Sequence, residues 1–407
     1  MSFAYKDVSP KRNLRVLVNP KGGPGKASEI FTSVVQPIFR AARSNCEVTY
    51  TERSKHAMDI AKTLPLDTYD AIVTLSGDGL IHEVFSGFAE HPESVKAFST
   101  PICPVPTGSG NGTSLNLLGL KEGFDVGVAT LNAIKGKPMR HDICAVILGE
   151  RRILSFMTVA LGLMADLDLG TEHLRWLGDG RFMYGFLRGL IRLKPCPVTL
   201  SIKVAESNKE KMARAAQDFN VNIKSSRNDY SAPANDGQAS GEQSSADATD
   251  EWLTLDKPIL YLFTGKSPYV ARDLMQFPVA RASDGFIDVV AQEVTSRGEL
   301  LSSIDGGPKG AAYWKDFQHY FKATSYRITP NTPDHEKQNL AIDGERYPFG
   351  PFEVEIEQGL ASFLSPYGAF VDEFNVPPPS QNKTNEAAGA KEPVLKPLKK
   401  LTCLESS

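Results

Sequence analysis

The fold is decided by the stretch SGDGLIHEV, which occupies Ser76–Val84. It follows the apolar, β-branched run Ala71–Leu75, a pattern that predicts a buried parallel strand. The glycines permit a sharp turn and close approach of a ligand to the backbone, and apolar residues after them recur at helical spacing. The pattern therefore places Asp78 at the carboxyl end of a strand, where open α/β sheets bind ligands. The alternative role for Asp78 is that of a helix cap.

Two more glycine-rich loops follow predicted strands. Pro20–Lys26 comes after Leu14–Asn19, and Thr107–Gly112 comes after Pro101–Pro106. Such loops point backbone N–H groups and the positive end of a helix at a phosphate. The first is not a Walker A loop, because that motif needs Ser or Thr after the lysine and Ala27 stands there. Together the loops predict a phosphorylated ligand, although a solvent-exposed turn is the alternative for the first.

Strands, loops and helices alternate up to about residue 141, which predicts an α/β domain with a doubly wound, mostly parallel sheet over 12–141. The following strands come largely without crossover helices, which predicts an antiparallel β-sandwich domain over 142–353. A helix predicted at 172–193 interrupts them, and its apolar side chains suit core packing better than a lipid wall. The strands predicted in this second domain are 143–148, 152–161, 197–204, 259–263, 287–294, 326–329 and 352–356.

Two segments have the composition of disordered chain. Residues 206–250 are rich in Ser, Asn, Asp, Ala and Gln, which predicts a disordered insertion. Residues 373–407 form a low-complexity tail. The basic cluster Lys396–Lys400 in this tail is a candidate for contact with anionic lipid, or is simply solvated.

Composition also narrows the partners and the compartment. The chain has 45 Lys and Arg against 48 Asp and Glu, which argues against a general nucleic-acid binder. Its widely spaced cysteines form no CxxC pair and no zinc pattern, so a reducing compartment is expected. The start lacks the apolar core of a signal peptide, and the run 156–165 is too short for a membrane span. We expect a cytoplasmic protein whose membrane contact is peripheral; its oligomeric state is not predicted.

With these residues in place, the sequence resembles the sphingosine kinases, within the wider diacylglycerol-kinase catalytic superfamily. Ser76–Val84 is especially similar to the sphingosine kinase signature, whereas ceramide and diacylglycerol kinases usually begin that block Gly-Gly-Asp-Gly. Asn19–Lys26 resembles the first nucleotide-binding block, and Thr51–Arg53 resembles the second-strand element. Gly108–Asn111 matches a further block, although Thr107 stands where the family commonly has Ala.

The resemblance continues into the second predicted domain. Ala165–Leu169, with Arg175 and Arg181, is similar to the lipid-side block, and Asp343–Glu345 resembles the late Asp-Gly-Glu element. The resemblance implies a two-domain kinase with the nucleotide in the cleft between the domains. It also implies that the chain returns to the first domain at 354–372.

The resemblance implies a role for each matched position. Asp78 occupies the catalytic position and Asp168 the position that contacts the lipid head group, with Asp166, Leu163 and Met164 as further substrate-binding candidates. The implied cofactor is Mg²⁺ on ATP, held mainly by the nucleotide, with its direct protein ligands unknown. The residues implied to bind the nucleotide are Asn19, Pro20, Gly22, Gly23, Thr51, Ser76, Gly77, Gly79, Gly108, Ser109, Arg175, Arg181, Gly344 and Glu345.

Physical chemistry supports these roles. Phosphoryl transfer needs charge neutralisation and positioning, which Arg175 and Arg181 can supply through forked hydrogen bonds to phosphate oxygens. Asp78 can accept the proton of a primary hydroxyl; the alternative is that it only orients loops or metal. A carboxylate at Asp168 would favour the amine of a sphingoid base, unless both Asp166 and Asp168 merely pair with the arginines.

The predicted function is ATP-dependent phosphorylation of the primary hydroxyl of a sphingoid long-chain base to its 1-phosphate. A ceramide or diacylglycerol kinase is the first alternative. An NAD-kinase or phosphofructokinase-like protein shares a Gly-Asp-Gly loop, but the block from Asp166 to Arg181 argues against it. A non-catalytic lipid or nucleotide sensor that retains the fold is the alternative from a different class.

Overall fold

The structure is a computed structural model that describes residues 8–171, 174, 180–228, 252–255, 257–303, 306–333 and 335–374. The strands are β1 Asn13–Val18, β2 Asn45–Tyr50, β3 Ala71–Ser76, β4 Ile102–Pro106, β5 Lys137–Leu148, β6 Arg151–Ser155, β7 Thr158–Gly162, β8 Val198–Glu206, β9 Leu253–Leu255, β10 Ile259–Gly265, β11 Tyr269–Ala271, β12 Leu274–Met275, β13 Ile287–Glu293, β14 Gln318–Pro330, β15 Leu340–Ile342, β16 Glu345–Tyr347 and β17 Phe352–Ser365.

Helices connect the first strands and cover the later ones. A π-helical turn, Phe31–Val35, joins the first two helices, and short 3₁₀ turns lie near residues 307–314 and 335–337. The α-helices are α1 Ala27–Ile30, α2 Gln36–Ala41, α3 His56–Lys62, α4 Asp78–Ala89, α5 Ser94–Phe98, α6 Gly112–Leu118, α7 Val126–Lys135, α8 Leu163–Gly170, α9 Gly180–Arg192, α10 Lys209–Asn228 and α11 Arg297–Ser302.

The first four strands form a parallel sheet in the order β2-β1-β3-β4. The chain steps from β1 to β2 in one direction and from β2 to β3 in the other, so the topological switch point lies between β1 and β3. Right-handed crossovers then place the connecting helices on both faces of the sheet. The predicted doubly wound sheet is therefore confirmed, and its switch point lies at the ends of the strands that precede Asn19 and Gly77.

The later strands form an antiparallel region, as predicted. The strands β7, β10, β13, β14 and β17 are antiparallel neighbours in that order. One apolar core lies between this sheet and strands such as β5 and β8. A second core packs residues of the sheet against side chains of α8, α9 and α10, which include Met164, Leu190 and Met212.

One strand pair joins the parallel and antiparallel regions. β17 pairs with β5 along most of its length, and its two ends reach different neighbours. Val354 pairs with Tyr326 of β14, whereas Phe363 pairs in parallel with Ile102 of β4. The hydrogen-bonded sheet is thus continuous from β2 to β16. The division at residue 141, which falls inside β5, and the return of 354–372 stay predictions.

Two predicted elements have the wrong limits. The strand predicted at 152–161 is two strands, β6 and β7, because the chain turns at Phe156 and Met157, whose backbone N–H groups donate to the carboxylate of Asp343. Within the described residues, the helix predicted at 172–193 is α9, which begins at Gly180. A separate helix, α8, precedes it where no helix was predicted.

The prediction of disorder over 206–250 is wrong for Lys209–Asn228, which form α10. Met212, Ala213 and Ala216 are buried on one side of this helix, at the spacing of a helical turn. Because two of these residues are alanines, the composition concealed the apolar face. Residues 229–250 and 375–407 lie outside the described residues. Within the predicted tail, Phe374 stacks on Trp314 with ring centroids 6.0 Å apart.

Candidate active site

The three glycine-rich loops meet at the carboxyl ends of β1, β3 and β4. Asn19 follows β1, and its Nδ2 donates to the hydroxyl of Ser76, at the end of β3, over 3.2 Å. The backbone N–H of Asp78 donates to the carbonyl of Gly110 over 3.1 Å. A Cβ on Gly108 would lie 2.1 Å from the backbone nitrogen of Gly77, so only glycine permits this approach. The loops therefore pack backbone against backbone and form one surface.

The carboxylate of Asp78 is fixed by two backbone hydrogen bonds. It accepts from the N–H of Gly112 over 2.6 Å and from the N–H of Thr113 over 3.0 Å, both at the start of α6. The N-cap of its own helix α4 is Gly77, so Asp78 caps a neighbouring helix instead. A carboxylate has about four lone-pair sites, so Asp78 can accept a hydrogen bond from a further donor.

Burial raises the pKa of Asp78, and the opposing hydrogen bonds from Thr113 and Gly112 do not cancel this effect. A carboxylate with a raised pKa has a higher proton affinity than an exposed one. The site therefore holds a positioned group that is suited to accept a proton from a bound hydroxyl.

A cavity of about 660 Å³ extends from the three loops into the antiparallel region. Asn19, Ser76 and Asp78 line its loop end, whereas Phe186, Phe263 and Leu274 lie among the residues lining the remainder. The volume is that of a pocket for a small organic ligand. A polar end joined to a chamber with apolar side chains on its wall suits a phosphate donor beside an alkyl chain.

Most of the predicted nucleotide-binding residues line this cavity. Pro20 is not among its described lining residues, although its neighbour Lys21 is. Arg175 and the side chain of Arg181 lie outside what the structure describes, so their phosphate contacts stay predictions. The predicted residues on the cavity wall are Asn19, Gly22, Gly23, Thr51, Ser76, Gly77, Gly79, Gly108, Ser109, Gly344 and Glu345.

Only two of the four predicted substrate-binding residues, all of which belong to helix α8, line the cavity. Met164 and Asp168 line the cavity, as positions four apart on one helical face should. Asp166 is exposed and accepts a hydrogen bond from Asn339 Nδ2 over 2.7 Å, and Leu163 packs in the core against α9. The structure does not place Asp166 and Leu163 on the described cavity wall, because these residues project from other sides of the helix, and their substrate contacts stay predictions.

The turn before Glu345 lies beside Asp168. Gly344 adopts the left-handed conformation with φ +83°, and a Cβ there would lie 3.6 Å from Asp168 Oδ2. The structure thus brings the Asp-Gly-Glu element to the carboxylate that was predicted to contact the lipid head group. These two parts of the chain are far apart in sequence.

Sequence reasoning missed the buried pair Asp343 and His82. The Asp343 carboxylate accepts from His82 Nδ1 over 2.9 Å, from the Ser155 hydroxyl over 2.7 Å and from the backbone N–H groups of residues 156–158. This carboxylate therefore joins α4 to the β6–β7 turn and to the turn that carries Glu345. Both residues stand within quoted motifs, but nothing in either motif indicates that they pair.

The environment of His82 favours its charged form. Burial lowers the pKa of His82, but the hydrogen bond and the negative charge of Asp343 outweigh burial and raise it. His82 lies one helical turn after Asp78 on α4. The ion pair thus holds α4, the helix that begins at Asp78, against the Asp-Gly-Glu turn.

Comparisons with known proteins cover the parallel region and extend over the antiparallel region. Residues 13–146 match the diacylglycerol kinase catalytic domain family. The chain is 35% identical over 373 residues to sphingoid long chain base kinase 4 of Schizosaccharomyces pombe, covering 91% of this chain and 78% of that protein. It is 30% identical to sphingoid long chain base kinase 5 of Saccharomyces cerevisiae, covering 91% of this chain and 61% of that protein. Sphingosine kinase 1 of Arabidopsis thaliana is 29% identical, with 88% and 76% covered.

Solved structures show the same fold. A diacylglycerol kinase structure from Bacillus anthracis superposes with a TM-score of 0.60 at 18% identity, covering 87% of this chain and 97% of that one. A putative diacylglycerol kinase from the same organism gives a TM-score of 0.59 at 17% identity, with 88% and 98% covered. At this identity the likeness concerns the fold alone.

Proposed function

The chain belongs to the sphingoid long-chain base kinase family, and we propose that it transfers the terminal phosphoryl group of ATP to the primary hydroxyl of a sphingoid base. Family membership confirms the resemblance found in the sequence. The observation that carries the proposal is the fixed Asp78 carboxylate at the polar end of a cavity whose other end includes apolar side chains such as Phe186 and Phe263. A lipid kinase needs both parts, because the hydroxyl reacts beside phosphate while the chain stays in apolar surroundings.

In this mechanism the lipid hydroxyl attacks the terminal phosphorus, the bond to the β-phosphate oxygen breaks, and Asp78 takes the hydroxyl proton. The three loops offer backbone N–H groups to the phosphates. Lys21 and Arg53, which sequence reasoning left without a role of their own, also line the cavity and would neutralise charge there. In-line positioning then supplies most of the catalysis.

Mg²⁺ fits this site as an ion held mainly by the nucleotide. Within the described part of the chain, no group of three or more His, Cys, Asp or Glu side chains could hold a metal. Mg²⁺ commonly takes one or two carboxylates together with substrate phosphates, and Glu345 lines the cavity as such a carboxylate. When bound, the ion would neutralise charge on the phosphates.

A panel of lipids tests the substrate class. With labelled ATP, we expect sphingoid bases to be phosphorylated and ceramide and diacylglycerol to react much more slowly, since they lack the cationic amine. Faster turnover of ceramide or diacylglycerol would assign the chain to that lipid instead. Binding of ATP and sphingoid base without any lipid phosphate would support a sensor.

Asp168→Asn should raise the KM for sphingoid bases by about 10- to 100-fold and leave the KM for ATP nearly unchanged. The reason is loss of a charge-assisted hydrogen bond between this carboxylate and the amine. Steady-state kinetics with each substrate varied in turn measures both constants. Asp166→Asn, on the exposed side of the same helix, is the matched control and should change neither. Equal rises in both constants for Asp168→Asn would remove the head-group assignment.

We also propose a cytoplasmic location with peripheral membrane contact through α9. Tyr184, Leu187 and Ile191 are exposed apolar residues on this helix, and Arg188 and Arg192 belong to it as well. Exposed apolar and basic side chains on one helix are typical of contact with an anionic membrane surface. Phe186 of the same helix lines the cavity, which links that surface to the lipid site. Among the described residues, no helix is long and apolar enough to cross a membrane.

Ile191→Ser should weaken binding to anionic vesicles, because Ile191 is 75% exposed and its apolar contact with the bilayer would be lost. Vesicle co-sedimentation measures the binding, and the rate on detergent-solubilised lipid should stay unchanged. Val95→Ser is the matched control, since Val95 is also 75% exposed but lies on α5. Equal losses in the two variants would exclude α9 as the contact.

A further inference from the structure

A row of polar side chains lies on the chamber wall, beside apolar residues such as Phe263. Tyr261, Gln292 and Gln318 lie side by side on β10, β13 and β14, where Tyr261 pairs with Gln292 and Gln292 with Gln318. Gln318 Nε2 donates to the Tyr261 hydroxyl over 3.2 Å. All three line the cavity, and Gln276, which follows β12, lines it beside them. An unsubstituted alkyl chain cannot form hydrogen bonds with these groups.

Gln276 carries an unused hydrogen-bond donor. Its side chain is only 4% exposed, and its Nε2 makes no hydrogen bond to any residue that the structure describes. The Gln276 side chain contacts the Tyr261 hydroxyl closely enough to lower the pKa of that phenol, in opposition to burial, which raises it. The contact falls short of hydrogen-bond geometry, so it leaves Gln276 Nε2 without an acceptor among the described residues. Buried polar groups are nearly always paired, so an unpaired donor on a cavity wall points to a ligand.

The polar row lies well away from the reacting end. The backbone N–H of Asp343 donates to the carbonyl of Thr158 over 2.8 Å, and Thr158 pairs with Gly265 of β10. Tyr261 lies four residues from Gly265 along that strand, which corresponds to about 13 Å. Phe263 lies between them on the same face. A head group bound beside the Asp343 turn therefore cannot reach the row, whereas its alkyl chain can.

We infer that the preferred lipid carries a hydroxyl, or a similar hydrogen-bonding group, in the middle or lower part of its alkyl chain, where Gln276 and Tyr261 bind it. The inference rests on the proposed function, since it presumes a long-chain base in this cavity. An unsubstituted chain leaves the Gln276 donor unpaired next to hydrocarbon. A hydroxyl on the chain accepts from Gln276 and offers its own proton to the row.

The test compares a saturated long-chain base with two isomeric alcohols of equal chain length, one hydroxylated at mid-chain and one at the chain end. With the full chain and ATP, kcat/KM should be about 10-fold or more higher for one of the hydroxylated bases than for the plain base. Gln276→Leu should remove this preference by lowering kcat/KM for the hydroxylated base alone. Leu274→Met, an apolar change on the same wall, is the control and should keep the preference.

Each outcome decides one question. Equal kcat/KM for the three bases in the wild-type protein overturns the inference and leaves the row as a site for buried water, while the proposed function stands. If none of the bases is phosphorylated, the proposed function fails, and calorimetric binding of the three bases still decides whether the row prefers a hydroxyl. If Gln276→Leu does not fold, as judged by ATP binding, the wild-type comparison of the three bases is sufficient to support or overturn the inference.

Discussion

Asp78→Asn should lower kcat for phosphoryl transfer by about 10²- to 10⁴-fold while ATP binding remains measurable, because the amide cannot accept the hydroxyl proton. The substitution keeps the shape of the side chain and one oxygen that can still accept from Gly112 or Thr113. Single-turnover reactions with labelled ATP measure the chemical step, and calorimetric titration measures nucleotide binding. Activity within a few-fold of the wild type would exclude base catalysis by Asp78.

A purely structural role for Asp78 is distinguished by pH dependence. Asparagine also weakens the hydrogen bonds to the start of α6, and this loss alone would lower activity equally at every pH. Because burial raises the pKa of Asp78, the acid limb of kcat/KM in the wild type should lie above the ordinary aspartate pKa of about 3.9. Asp78→Asn should abolish this fall of kcat/KM at low pH, rather than only lower the value that kcat/KM reaches at higher pH.

The sequence predicts those parts of the fold that depend on residues close together in the chain. The strand β3, the turn after it and the start of α4 follow from the spacing of apolar residues and glycines in one short stretch. Convergence of the three loops also follows, because parallel strands end at one edge. The break between β6 and β7 does not follow, since it is set by Asp343, nearly two hundred residues later in the chain.

Within the site, the sequence does not predict which way a side chain points. Asp166 and Asp168 are equivalent in the sequence, but a step of two residues on a helix turns a side chain to nearly the opposite face. Only the formation of α8 shows that Asp168 faces the cavity while Asp166 contacts Asn339. The polar row is hidden for a similar reason, because Tyr261, Gln292 and Gln318 come together only through the pairing of β10, β13 and β14.

Asp343→Asn should lower the free energy of unfolding by about 3 kcal/mol and slow phosphoryl transfer by about 10-fold or more. Asparagine tolerates the left-handed backbone of this residue, which has φ +50°, so the change tests the carboxylate itself. The NH₂ group of the new asparagine would face the backbone N–H donors of residues 156–158. The positive charge of His82 would also lose its negatively charged partner. Denaturant unfolding measures the stability, and Asp166→Asn is the exposed control, expected to change it by less than about 0.5 kcal/mol.

The pH dependence of stability identifies the ion pair as the cause. The pKa of His82 is raised in the folded state above its unfolded value of about 6.5, so the folded protein binds more protons between these two values. The contribution of the pair is therefore complete below about pH 6.5 and is lost as the pH rises through the folded pKa of His82. The wild-type free energy of unfolding should fall over this window, and both Asp343→Asn and His82→Gln should flatten that fall. If the free energy of unfolding falls with pH as steeply in both variants as in the wild type, the ion pair is not the cause. Asp343 then acts only through the hydrogen bonds that it accepts from Ser155 and from the backbone N–H groups of residues 156–158.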